Sequence, residues 1–215
     1  MSQGAWRLRR TALGISAAAV LFSGAAGHLR GGDSAAYATP AGAATPGPPA
    51  QSERPAALPG STPELPAAAL LDAQILDLDD KPVSLRGMHG KIVVVLHQDR
   101  YSSDQNQGFK DRLGELVLRF PGKLQLIALA EAGGYNFWPA RRYVKDALKP
   151  LRALGGALVA CDWKGAVQRS YRIPARQSAV FVVDKDSTLA ALRIGVLPAA
   201  DATALLDRIA ALAGQ

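Results

Sequence analysis

Lys91-Ile92-Val93-Val94-Val95-Leu96 is an unbroken apolar run rich in β-branched residues, and His97-Gln98-Asp99-Arg100-Tyr101-Ser102-Ser103-Asp104-Gln105-Asn106 leads out of it. Phe109, Leu113, Leu116, Val117 and Phe120 then recur at helical spacing. The run is apolar on both faces, which reads as a central strand covered by helices on either side. Ser103 or Asp104 is placed to accept the free amides of the helix's first turn. Lys123 to Leu129 supplies a second buried strand, and Val144, Leu148 and Leu151 mark the inner face of a second helix starting near Pro139. Together these segments make a parallel βαβ unit.

The flanking segments extend that unit in both directions. Ile75 to Leu85 alternates apolar residues around an Asp79-Asp80-Lys81 turn, as a hairpin does. Ala157 to Asp162 reads as a short strand and Gly165 to Tyr171 as a short helix. Ala179 to Asp184 turns through Lys185-Asp186-Ser187 into Leu189 to Val196 as a second hairpin, and Asp201 caps a closing helix with Leu205, Leu206, Ile209 and Leu212 turned inward. The predicted class is α/β, a mixed central sheet with helices on both faces.

This order, together with Phe120-Pro121-Gly122-Lys123 and Ser178-Ala179-Val180-Phe181-Val182-Val183-Asp184-Lys185-Asp186, resembles the thioredoxin-fold superfamily, above all its exported TlpA-type and peroxiredoxin-like members. The resemblance runs from about Leu70 to the end. It implies a Cys-x-x-Cys pair at Ser103-Asp104-Gln105-Asn106, or one residue earlier, and neither register holds a cysteine. It also implies a cis-proline directly before the hairpin strand, where this chain has Gln177-Ser178, with Pro174 several residues too early. Arg100-x-Ser102, Tyr171-Arg172-Ile173, Ser178-Ala179-Val180 and Asp184-Lys185-Asp186 look closest to the small YtfJ-like group of periplasmic proteins that lack the redox pair.

Thiol exchange needs a stabilised thiolate that attacks a disulfide and a second thiol that resolves the product. A serine hydroxyl in that place stays protonated, and Asp104 adds negative charge beside it. Helix capping is therefore the expected work of Ser102, Ser103 and Asp104. Cys161 is the only cysteine, follows Leu158-Val159-Ala160, and reads as a small buried hydrophobe. The alternative for Cys161 is a thiol that works with an external thiol, as a divergent oxidoreductase or peroxidase, or forms an intermolecular disulfide.

The candidate binding surface is the loop Arg100, Ser102, Ser103, Asp104 and Asn106 with the facing segment Arg176, Gln177 and Ser178. The resemblance brings these together where redox relatives hold substrates. The expected partner is another envelope protein or a small ligand. No cofactor is called for, and no metal: in the domain only His89 and His97 are present, neither at ligand spacing. His97, beside Asp99, is either a base toward Ser102 or Ser103 or a loop histidine bonded to its neighbour. No Gly-x-Ser-x-Gly elbow points to hydrolysis.

The domain is mildly basic, with 20 Lys+Arg against 15 Asp+Glu from Leu70 onward, a net of +5. That excess favours acidic partners or anionic surfaces and is too dispersed to indicate nucleic acid. Arg141, Lys145, Lys149 and Arg152 share one side of the second helix, after Tyr135, Phe137 and Trp138. This is either a solvated face or a contact surface for an acidic partner, a membrane or a polyanion.

Residues 1–27 have the grammar of an export signal: Arg7, Arg9 and Arg10, an apolar segment from Thr11 to Phe22, then small residues. An uncleaved leader would serve as an N-terminal membrane anchor, and an organellar transit peptide ranks third. Residues 28–68, rich in Pro, Ala and Gly, read as a disordered tether, and 69–215 as the thioredoxin-like domain. The expected address is periplasmic or otherwise extracytoplasmic. Lipid attachment is excluded, because no cysteine stands immediately after the apolar segment.

Overall fold

A computed structural model of the 215-residue chain describes residues 67–153 and 156–215. The export segment 1–27 and the tether 28–68 lie outside the described residues, except that helix α1 (Ala67–Leu71) takes in the last two tether positions. After α1 come β1 (Ile75–Asp77), β2 (Pro82–Val83), β3 (Ile92–Gln98), α2 (Gln107–Arg119), β4 (Leu124–Glu131), α3 (Ala140–Ala153) and β5 (Ala157–Asp162). The chain continues through α4 (Ala166–Ser170), β6 (Ala179–Val183), β7 (Leu189–Ile194) and α5 (Ala199–Gly214).

The seven strands form one sheet in the order β2-β1-β5-β4-β3-β6-β7. β3, β4 and β5 run parallel, whereas β6 and β7 on one flank and β1 and β2 on the other are antiparallel. The sequence explains the middle of this arrangement. β3 lies between β4 and β6, so both its faces must be apolar, and Ile92 to Leu96 are all buried.

Alternation along the strands sorts the core into two layers. Val93, Val95, Ile127, Leu129, Ala160 and Phe181 pack against Leu70 of α1, Val167 of α4 and Tyr171. Ile92, Val94, Leu96, Val180 and Val182 face Phe109 and Leu113 of α2 and Leu205, Leu206 and Ile209 of α5. Farther along that second face, Val159 and Cys161 meet Val144, Leu148 and Leu151 of α3. The thioredoxin-like α/β arrangement expected from the sequence is therefore present, with helices on both faces.

Two local expectations change. α5 begins at Ala199 after Pro198, and Asp201 lies within its first turn rather than at its cap. There its charge still faces the positive end of the helix dipole. The basic face of α3 is occupied from within the chain. Arg141 and Lys145 pair with Asp80, Arg152 reaches Asp79 at 2.8 Å, and Lys149 pairs with Asp146. The cause is topological, because β1 docks on β5 and so carries the acidic β1–β2 turn alongside α3.

The C-terminal ends of β3, β4 and β5 share one edge of the sheet, and antiparallel β6 begins at the same edge. Loop 99–106, loop 132–139 and the segment 174–178 are thereby gathered there. In open parallel sheets this edge is where ligands are handled.

Candidate functional site

Asp99 organises the first loop. Its Oδ1 accepts the amides of Tyr101 (2.9 Å) and Ser102 (2.8 Å) and the Ser102 hydroxyl (2.9 Å), while its Oδ2 accepts the Arg176 amide at 2.8 Å. Burial alone would raise this carboxyl's pKa. The Arg176 amide, the Ser102 hydroxyl and the nearby amides outweigh it and hold Asp99 below the usual carboxylate range. Ser102 is fully buried in this turn, and its Oγ also accepts the Asp99 amide at 2.9 Å.

The expected cap of α2 is thereby corrected. Ser102 is committed to Asp99, Ser103 Oγ donates to the Arg100 carbonyl at 3.4 Å, and Asp104 is exposed. The helix starts at Gln107, three residues beyond Asp104, with Asn106 at the cap position in the left-handed region (φ 59°) and no side-chain cap bond. Asn106 faces the other way. Its Nδ2 donates to Ser178 Oγ (3.0 Å) and the Gly195 carbonyl (2.9 Å), and its Oδ1 accepts the Leu197 amide at 2.7 Å. Lys110 turns back from the first turn to donate to the Ser103 carbonyl at 2.6 Å.

Gln105 completes the closure. Its Nε2 donates to the Arg176 carbonyl at 2.8 Å, and its Oε1 accepts the Ser178 amide at 2.9 Å. The structure thus brings together both halves of the expected surface, Arg100 to Asn106 and Arg176 to Ser178, and joins them tightly. The backbone amide of Ser178 is thereby taken by a side chain of the same protein. Gln105 and Asp99 carry this junction, and neither stood out as a site residue in the sequence. The legible signal was the pair of adjacent primary amides, Gln105-Asn106, since each amide can donate and accept at once.

What remains exposed is the rim. Tyr101 is 58% exposed and its ring carries two guanidinium groups, Arg100 at 4.8 Å and Arg176 at 4.9 Å from the ring centroid. Arg100 Nη1 donates to the Tyr135 hydroxyl at 3.3 Å, linking this rim to the loop of Phe137 and Trp138. Gln177 is exposed beside Gly195, where φ is +88° and a Cβ would lie 3.3 Å from Gln177 Oε1.

Beneath the loop, His97 sits inside β3, in register with Leu129 and Ala179. It is neither a loop residue nor hydrogen-bonded: both ring nitrogens are buried without a partner among the described residues. Desolvation pushes its pKa down to about 4, against the opposing pull of Asp162 and Asp99. The Ser102 hydroxyl donates to Asp99 and neither ring nitrogen of His97 has a partner, so no hydrogen bond joins His97 to Ser102. Asp162 uses both its oxygens to hold the start of α4, accepting the amides of Ala166 (3.0 Å) and Val167 (2.7 Å). Glu131, raised by burial, accepts the Gly133 amide at 2.9 Å. Among the described residues, no three of His, Cys, Asp and Glu are grouped as metal ligands, and no helix is long and apolar enough to cross a membrane.

Cys161 lies far from this edge chemistry in character. It is fully buried among Leu78, Ala130, Val144, Leu148, Val159 and Trp163, and burial pushes its thiol up to about 12. Such a thiol stays protonated and out of reach.

The fold can be matched to solved structures. A protein titled as the thiol:disulfide interchange protein DsbE from Chlorobium tepidum superposes with a TM-score of 0.50 at 22% identity, covering 65% of this chain and 92% of that one. The chain has the thioredoxin fold. Other thioredoxin-fold neighbours include Xanthomonas campestris peroxiredoxin Q (TM-score 0.48, 16% identity, 72% of this chain and 99% of that one). An exposed lipoprotein thioredoxin from Streptococcus pneumoniae is another (TM-score 0.48, 16% identity, 62% and 96%). No protein-family model and no curated protein matches this thioredoxin-fold chain. At these identities the likeness establishes the scaffold alone.

Proposed function

We propose that this thioredoxin-fold chain is an exported binding module, working in the cell envelope without thiol redox catalysis. The observation that carries the reading is the fate of the two positions where the redox pair would stand. Ser103 bonds back to its own loop, and Asn106 reaches across to Ser178, Gly195 and Leu197. Both are spent on structure, and the single cysteine is buried elsewhere with a protonated thiol. Burial of Cys161 argues against the alternative of an oxidoreductase or peroxidase using an external thiol.

The Arg-rich leader supports export, and the tether between it and the domain suits a module held near a membrane or released from it. Because Gln105 and Asn106 tie the loop to the facing segment, the contact surface is the rim of that junction: Arg100, Tyr101, Arg176 and Gln177. The partner is another envelope protein or a small ligand. The test is capture of partners by the full exported chain from its native envelope extract, beside Arg100→Ala and Gln177→Ala. Loss of a captured species in the variants is expected; identical capture removes this rim from consideration.

A further inference from the structure

The rim combines four features. Arg176 adopts the left-handed region at φ 65°, rare for a long side chain, and both its backbone polar groups are pinned: its amide to Asp99 and its carbonyl to Gln105. Its guanidinium and that of Arg100 are laid on the exposed Tyr101 ring. None of the ion pairs among the described residues involves Arg176. Alongside, through the contact of Arg100 with Tyr135, the loop presents Phe137 at 59% and Trp138 at 82% exposure, followed by Tyr143 at 71%.

A pinned backbone and a stacked plane remove much of the freedom an arginine otherwise loses on binding. A guanidinium held this way presents a fixed fork of N–H donors, which matches a carboxylate. Exposed Trp, Tyr and Phe beside arginine is the composition of interface anchors. A membrane surface fits less well. Its anionic headgroups are drawn to clusters of four to eight Lys and Arg, and the chain's densest basic face, on α3, is paired with Asp79, Asp80 and Asp146.

We infer that the rim formed by Arg100, Tyr101, Arg176, Phe137 and Trp138 binds an acidic peptide segment, a carboxylate on the Arg176 guanidinium fork and its neighbouring apolar side chains on the aromatic loop. This inference rests on the binding reading above and adds the ligand's chemical class.

The probe is a random dodecapeptide library displayed on phage, selected on the full chain and depleted on an Arg176→Asn, Trp138→Ser double variant. Asparagine suits the left-handed backbone, and an unchanged denaturation midpoint shows that the variant folds. Recovered peptides should be enriched in Asp and Glu next to apolar residues. Synthetic copies should bind at least about tenfold more weakly to Arg176→Asn, and equally so when their own acids become amides. Binders that depend on Arg100 and Gln177 but carry no acidic enrichment overturn the ligand class and leave the binding reading standing. Two further results overturn the inference: Arg176-dependent sedimentation with phosphatidylglycerol vesicles, which assigns the rim to a membrane, and self-association abolished by Trp138→Ser, which assigns it to a second copy. Failure to recover any site-dependent peptide also overturns it, while envelope capture tests the broader reading separately.

Discussion

Gln105 Oε1 accepts two hydrogen bonds from Ser178, one from its amide at 2.9 Å and one from its hydroxyl at 3.1 Å, across 73 residues of sequence. With the third bond, from Gln105 Nε2 to the Arg176 carbonyl, a single side chain reproduces the pairing that an added strand would make. The edge where loop 99–106 meets the segment 174–178 is in this chain an internal junction.

Removing that junction should loosen the edge. Gln105→Ala deletes all three bonds and leaves the Ser178 amide and the Arg176 carbonyl without their partner, a cost of about 1–3 kcal/mol. Denaturant unfolding should show the loss, and hydrogen exchange at the Ser178 amide should speed up. Gln105→Glu is the sharper variant. It keeps the acceptor for Ser178 but sets a carboxylate oxygen against the Arg176 carbonyl, so exchange at Ser178 should stay slower than in Gln105→Ala even though global stability falls.

His97 makes stability depend on pH in a defined window. Its folded pKa is about 4 and its unfolded value about 6.5, so on acidification the unfolded chain takes up the proton first. Stability should therefore fall as pH drops from about 6.5 to 4, by on the order of 3 kcal/mol. Asp99, held low, loses its own contribution only as pH falls through its depressed value, whereas raised Glu131 acts in the opposite sense. Comparing the denaturation midpoint of the wild type with His97→Leu across this range isolates the histidine. The variant should show a much flatter profile and no loss at pH 7, since leucine removes two unpartnered buried nitrogens. Parallel profiles for the two proteins would mean that His97 finds a partner in solution.

The scaffold was legible because its strands carry unmistakable patterns. Ile92 to Leu96, apolar on both faces, read as a central strand, and Val180 to Val183 joined to Leu189 onward by the Lys185-Asp186-Ser187 turn read as a hairpin. The site was less legible for a physical reason. Ser103 and Asp104 have good capping chemistry, but a cap must accept from the free amides of the first turn, and in this loop Ser102 is held by Asp99 while the Ser103 hydroxyl turns back to the Arg100 carbonyl. The bonds of Gln105 and Asn106 reach across 71 to 91 residues, which no local pattern encodes. His97 looked like a loop residue because it follows the apolar run, yet β3 continues through it to Gln98.

Cys161 should be inert while the protein is folded. Its thiol is fully buried and pushed up to about 12, so almost none is thiolate at pH 8. An aromatic disulfide reagent at pH 8 should label no thiol on the native chain within an hour and one equivalent in denaturant. Peroxide added to the native protein should not be consumed. Prompt labelling of the native chain would mean that the cluster of Leu148, Val159 and Trp163 opens readily, and would return thiol chemistry to consideration.

The acidic β1–β2 turn offers a different kind of control. Asp79 and Asp80 pair with Arg152, Arg141 and Lys145 at the surface, and such exposed pairs contribute only about 0–1 kcal/mol each. Changing both to Asn should therefore barely move the denaturation midpoint. Asn also tolerates the left-handed backbone of Asp80, whose φ is 62°. The electrostatic effect should be larger than the stability effect, because three cations on one helix face lose their internal counterions together. The Asp79→Asn, Asp80→Asn variant should elute later from a cation exchanger than its two-unit charge change alone explains, and it should gain salt-sensitive binding to heparin that the wild type lacks. If the wild type already binds heparin as strongly, the turn does not mask α3, and the basic helix must be counted among this protein's working surfaces.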